Sequence, residues 1–159
     1  MGNIFSEETN SFKIQLSDKL KRKIFQICKK SYPNETGGIL IGKYSSDLKT
    51  AIICSITDAP SDSKMGKTWF KRGVNGLQEL LNRKWVKNQQ FYLGEWHFHP
   101  NGTPIPSQTD IQEMRKISKN PNYNCPEPIL LIASNYNEHW ELGEYIFYPN
   151  KSYTRIYRI

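Results

Sequence analysis

Apolar residues at Leu20, Ile24, Ile27 and Cys28 recur at steps of three and four through an otherwise polar stretch that ends at Pro33. That period is helical, Ser17 is a suitable N-cap, and the pattern predicts a first helix over 18–31. Two glycines then lead into Ile39-Leu40-Ile41, a wholly apolar run of the kind found in buried strands, and Ala51 to Thr57 reads as its partner. Residues 58–68, rich in Ser, Asp, Lys, Pro and Gly, predict a loop. Val74, Leu77, Leu81 and Trp85 form one stripe that predicts a second helix over about 74–87. Phe91 to His99 reads as extended, and three prolines and a glycine between Pro100 and Pro106 stiffen an irregular loop. Ser107 caps a third helix that turns Ile111, Met114 and Ile117 inward. Ile129 to Ala133 is a further apolar strand, His139 to Tyr148 its hairpin partner, and Tyr153 to Ile159 a final strand. Strands interleaved with three helices place the chain in the α/β or α+β class, with the sheet order undetermined.

Composition narrows this picture. The 159 residues suit one domain, expected to span 1–159, with one active site at most. No run approaches the roughly 18 apolar residues a membrane helix needs, and no secretory pattern opens the chain, so a cytoplasmic protein with no membrane partner is expected. Met1-Gly2-Asn3-Ile4-Phe5-Ser6 fits the loose myristoylation template, but Glu7 and Glu8 would repel anionic lipid, and lipidation is not expected. Cys28, Cys54 and Cys125 are odd in number and widely spaced, which reads as small apolar residues rather than disulfides. The net charge of +7 raises the question of nucleic acid. The densest cluster, Lys19, Lys21, Arg22, Lys23, Lys29 and Lys30, lies in one predicted helix without aromatic interleaving and reads as a solvated face; no nucleic-acid partner is expected.

The chemistry is concentrated in Gly94-Glu95-Trp96-His97-Phe98-His99-Pro100 and Ser107-Gln108-Thr109-Asp110. On a strand, His97 and His99 project to one side and Trp96 and Phe98 to the other. Asp110, at the start of the next helix, can bring a carboxylate back toward the imidazoles. Two imidazoles and a carboxylate suit Zn²⁺ and leave a fourth position for water, the mark of a catalytic site. Hydrolysis then needs a carboxylate to take a proton from that water. Glu95 shares the histidines' strand face, and Glu35 stands sixty-two residues before His97; spacing alone leaves both open. Ser107 can donate to a developing oxyanion, or can simply cap its helix with Asp110 in a capping-box pattern. His139, beside Trp140 and without a partner at ligand spacing, reads as a structural or surface residue.

These residues resemble the JAB/MPN/JAMM metallopeptidase motif: a glutamate, then His-x-His-Pro, then, with ten residues after the second histidine, an aspartate that has a serine three before it. Here Pro100 to Thr109 are the ten, Asp110 the aspartate and Ser107 the serine, while Glu35-Thr36-Gly37-Gly38-Ile39-Leu40-Ile41-Gly42 is similar to the family's first strand. The resemblance implies a central mixed sheet flanked by about three helices. It also implies one zinc held by His97, His99 and Asp110 with a water as fourth ligand, Glu35 as general base and Ser107 as oxyanion donor. Glu95 falls where the family varies, which leaves it at most a supporting or substrate-facing role. The implied activity is cleavage after the C-terminus of a ubiquitin-like protein or protein conjugate. The wording most resembles bacterial stand-alone members, including deconjugating peptidases of CBASS antiphage systems, whose substrate would be a nucleotidyltransferase conjugate. Processing of a sulfur-carrier protein and a non-catalytic scaffold are the alternatives.

Overall fold

A polar-capped helix and a set of strands rich in Ile, Leu and aromatic residues build the framework. The computed structural model describes residues 12–157. Strand β1 (Lys13–Gln15) precedes helix α1 (Asp18–Ser31), whose N-cap Ser17 accepts a hydrogen bond from the Leu20 N–H at 3.2 Å. There follow β2 (Gly37–Tyr44), β3 (Thr50–Ile56), β4 (Lys64–Met65), β5 (Phe70–Lys71), α2 (Leu77–Asn88), β6 (Phe91–His99), α3 (Gln108–Lys119), β7 (Ile129–Ser134), a 3₁₀ turn (Tyr136–Glu138), β8 (Glu141–Ile146) and β9 (Thr154–Ile156).

Seven strands form one mixed sheet in the order β1-β3-β2-β6-β7-β8-β9. The β1–β3 and β6–β7 pairs are parallel, and the other pairs are antiparallel. Strand alternation sends Trp96 and Phe98 into a core shared with Ile24 and Cys28 of α1 on one face. Ile39, Leu130 and Ile132 pack with Met114 and Ile117 of α3 on the other. Trp96 and Phe98 are fully buried, each worth roughly 1.5–3 kcal/mol or more of apolar transfer, and the Trp96 indole N–H donates to the Thr57 carbonyl at 2.9 Å. The expected central mixed sheet flanked by three helices is what forms.

Several expectations are corrected in detail. The loop foreseen over 58–68 contains β4, which pairs with β5 in a small hairpin of its own; two-residue strands are too short to show alternation. β2 is longer than Ile39–Ile41, because Gly37, Gly38 and Gly42 allow neighbouring backbone and side chains to approach where a Cβ would collide. The second helix begins at Leu77, so Val74 lies outside it, 66% exposed, and no residue of the helix is fully buried. Its apolar stripe closes on the sheet only in part: Leu77 and Leu81 pack against the core yet also line a cavity of about 850 Å³ together with Ile39, Tyr92 and Tyr123. The strand expected over His139–Tyr148 is confined to Glu141–Ile146, and the final one to Thr154–Ile156, with residues 158–159 outside the described range. The Met1-Gly2 template also lies outside it.

Cys28 and Cys125 are buried, and burial pushes the Cys125 thiol up to about 12; Cys54 is only partly buried. All six basic residues singled out on α1 are exposed. No helix among the described residues is long and apolar enough to cross a membrane.

Candidate active site

β6 and β7 run parallel and are joined through α3, so the end of β6 and the start of α3 meet at the carboxyl edge of the sheet, where open α/β folds place their ligands. His97 and His99 end β6 on the face opposite Trp96 and Phe98. A turn follows at once, with the Gly102 N–H donating to the His99 carbonyl at 3.2 Å and Asn101 in the left-handed region at φ 58°. The proline loop then delivers the chain to Ser107 and α3.

At the N-terminus of α3 a complete capping box forms. Ser107 Oγ accepts from the Asp110 N–H at 3.1 Å, and the Ser107 N–H donates to Asp110 Oδ2 at 2.8 Å. The box fixes the Asp110 side chain, and the same carboxylate meets both imidazoles, His97 Nδ1 at 2.7 Å from Oδ1 and His99 Nε2 at 3.1 Å from Oδ2. The capping and chemical readings of Ser107 are therefore compatible, since accepting a hydrogen bond leaves its exposed hydroxyl hydrogen free to donate.

Glu35 enters from a third segment. Gly37 pairs with His97, and the Phe98 N–H donates to the Thr36 carbonyl at 2.8 Å, so the register carries Glu35 toward His99. The Glu35 N–H is held by the Gly66 carbonyl at 2.8 Å. The electrostatics place its carboxyl among the other three groups. Burial raises its pKa above the ordinary value, the His99 and His97 charges pull it down, and Asp110 pushes it up. Burial likewise opposes ionised Asp110, but hydrogen bonds from the two imidazoles and Ser107 prevail and hold its carboxyl far below the usual range. For His99, burial works against the charged ring, and Asp110 and Glu35 outweigh it, so its pKa is raised.

By donor chemistry the set suits zinc. Ligand atoms about 2.0–2.2 Å from a tetrahedral ion stand roughly 3.3–3.5 Å apart. The two imidazole–carboxylate separations here are somewhat shorter, because nitrogen and oxygen face one another as hydrogen-bond partners. Among the described residues no three such side chains already converge on a single ion position. Side-chain shifts of about 0.6–0.8 Å between Asp110 and His97, and less between Asp110 and His99, separate the present arrangement from the expected spacing, so the residues fit the ion by type and by proximity.

Glu95 is not with them. It is 3% exposed and accepts hydrogen bonds from Arg72 Nε and the Tyr92 hydroxyl, which directs its carboxylate away from the histidines it shares a face with. His139 is a surface residue, its Nε2 3.1 Å from Glu141. The sequence reading missed Phe70, whose ring meets His97 edge-on with centroids 5.5 Å apart and an interplanar angle of 75°. The one available signal was Gly66 followed by Trp69 and Phe70, a turn residue before an aromatic pair.

Comparison with known proteins identifies the family. Residues 17–143 match the family described as prokaryotic homologs of the JAB domain. A protein of Enterobacter hormaechei called CD-NTase/cGAS isopeptidase is 46% identical over 80% of this chain and 71% of its own length. A probable metalloprotease of Sinorhizobium fredii is 30% identical over 67% of this chain and 66% of its own. The solution structure of protein DSY2949 from Desulfitobacterium hafniense superposes with a TM-score of 0.62 over 89% of this chain and 88% of that one at 19% identity, a likeness of fold. With the motif residues brought to one end of a mixed sheet, and a family match over most of its length, the chain belongs to the prokaryotic JAB-domain family.

Proposed function

We propose that the chain is a zinc-dependent hydrolase that cleaves a peptide or isopeptide bond after the C-terminus of a ubiquitin-like protein or protein conjugate, working as one domain in the bacterial cytoplasm. The names of its relatives favour a CD-NTase conjugate as substrate, and the motif's resemblance to deconjugating peptidases of CBASS systems suggests a role in antiphage defence. The observation that carries the reading is the meeting of Glu35, His97, His99 and Asp110, from three separate segments, at the carboxyl edge of the sheet.

His97, His99 and Asp110 would hold the metal. Bound there, zinc would polarise the scissile carbonyl and bring the pKa of water toward about 7. Glu35, raised by burial toward the working range of a general base, takes the proton from the attacking water and returns it to the leaving amine. The Ser107 hydroxyl, anchored by the capping box, donates to the oxygen on which negative charge develops. Before the ion binds, the two Asp110 oxygens hold His97 and His99 beside one another, a pairing that metal ligation would replace.

The test is Glu35→Gln, assayed on a CD-NTase conjugate alongside metal content. Cleavage is expected to be lost while about one zinc per chain is retained. Near-normal cleavage by that variant would overturn the assignment.

A further inference from the structure

Glu95 has a partner set that stability alone does not explain. In β6, Gly94 pairs with Leu40 and Tyr92 with Ile41, so Leu93 is an extra residue in the ladder. Such a bulge reverses the alternation and brings Tyr92 to the face that carries Glu95. Gly94 permits it, since a Cβ there would stand 1.9 Å from the Ile129 carbonyl oxygen. The Glu95 carboxylate accepts from the Tyr92 hydroxyl through one oxygen and from Arg72 Nε through the other. The remaining Arg72 donors reach the Gly73 carbonyl at 2.7 Å and the Tyr123 hydroxyl at 3.1 Å.

Arg72 follows β5 directly, so this one side chain ties the β4–β5 hairpin to β6 two residues before His97. The base of the hairpin is closed as well. Ser63 Oγ accepts from the Gly73 N–H at 2.8 Å, and the Asp62 carboxylate accepts from the N–H groups of Val74 and Asn75 at 3.0 and 2.9 Å. The hairpin then touches the active site at two points, Phe70 against the His97 ring and the Gly66 carbonyl on the Glu35 N–H. A buried ion pair contributes little to net stability compared with apolar residues of the same volume, whereas it can fix a register.

We propose that Arg72 and Glu95 are positioning residues: their buried ion pair fastens the 64–71 hairpin onto β6, so that Phe70 orients the His97 imidazole and Gly66 fixes the backbone of Glu35. This rests on the roles proposed above for Glu35 and His97. Neither residue of the pair touches the reacting atoms.

The test combines amide exchange by NMR with kinetics at saturating zinc. The Glu35 N–H, bonded to Gly66, reports hairpin docking, and the Phe98 N–H, bonded to Thr36, reports sheet pairing. In Arg72→Ala, exchange at Glu35 should quicken at least about tenfold with Phe98 unchanged, and kcat should fall roughly 10- to 100-fold with little change in KM. Arg72→Lys should recover part of both effects. Phe70→Leu should lower kcat while leaving Glu35 protected. Should Arg72→Ala fail to fold, the isosteric Glu95→Gln and Phe70→Leu carry the same comparison. Equal acceleration at Glu35 and Phe98 would mean general destabilisation and overturn the proposal, as would rapid exchange at Glu35 with an unaltered kcat. The exchange pattern makes no reference to catalysis, so a failure of the Glu35 assignment is distinguishable from a failure of the hairpin attachment.

Discussion

Gly37→Ala offers a sharp perturbation, because β2 touches the candidate site through a position with no side chain. A Cβ at residue 37 would lie 2.3 Å from the Trp96 carbonyl oxygen, 2.8 Å from Phe70 Cε1 and 2.9 Å from His97 Cδ2. Ordinary contact begins near 3.4 Å, so the backbone oxygen must move by about 1.1 Å and each ring by about half that. The rings can give, but the oxygen belongs to the β2–β6 ladder, where Gly37 pairs with His97. Overpacking of this kind costs about 1–3 kcal/mol. A displacement approaching 1 Å at His97 should lower kcat by roughly 100-fold. Gly102→Ala is the matched control, also beside a histidine in space, with its Cβ 3.4 Å from His99 Cβ and no strained φ. Urea unfolding of the two variants, with conjugate cleavage at saturating zinc, reads stability and rate separately. Gly37→Ala is expected to lose both and Gly102→Ala neither. Equal behaviour of the two would refute the claim that close approach at Gly37 sets the position of His97.

Ser107→Ala removes the cap and the free hydroxyl together. It should cost about 1 kcal/mol of stability and roughly 100-fold or more in kcat, whereas Ser107→Thr should keep most of the cap; a kcat unchanged in the alanine variant would leave Ser107 as a cap only. The depressed Asp110 pKa contributes stability that is fully present above the ordinary carboxylate value near 3.9 and is lost as pH falls through the lower folded value. The stability gap between the wild type and Asp110→Asn, measured on metal-free protein, should therefore narrow as pH drops from about 5 to 2, and a constant gap would contradict this. His99 is raised, so zinc and protons should compete for it from somewhat above pH 6.5 downward. Calorimetry in buffers of different ionisation enthalpy should show more proton release on zinc binding to the wild type than to His99→Ala at pH 6, a difference that shrinks by about pH 8. Chelation should abolish cleavage and lower Tm, and zinc at 1,000 times its Kd should return about 4 kcal/mol.

Much of the candidate site's geometry was legible because its chemistry is local. His97 and His99 fall on one face by strand alternation whatever the sheet order, and Ser107 three residues before Asp110 is a capping box whatever else it does. The fold class followed from the periodicities of α1, β6 and α3, each carrying enough residues to display its pattern. α2 misled in part, because its spacing shows a stripe but not how completely the sheet covers it.

By itself, then, the sequence determined the donor types, the face on which the histidines stand and the cap that orients Asp110, all consequences of chain neighbours a few residues apart. The tertiary structure gave different surroundings to two carboxylates that spacing had left equal and that only the family resemblance had told apart. A one-residue bulge at Leu93 and Gly94 turned Tyr92 toward Glu95, Arg72 arrived from a hairpin too short to announce itself, and the Glu95 carboxylate was engaged there. Glu35 was brought toward the histidines instead by the pairing of β2 with β6. That placement depends on register and on partners distant in sequence, which local periodicity does not encode.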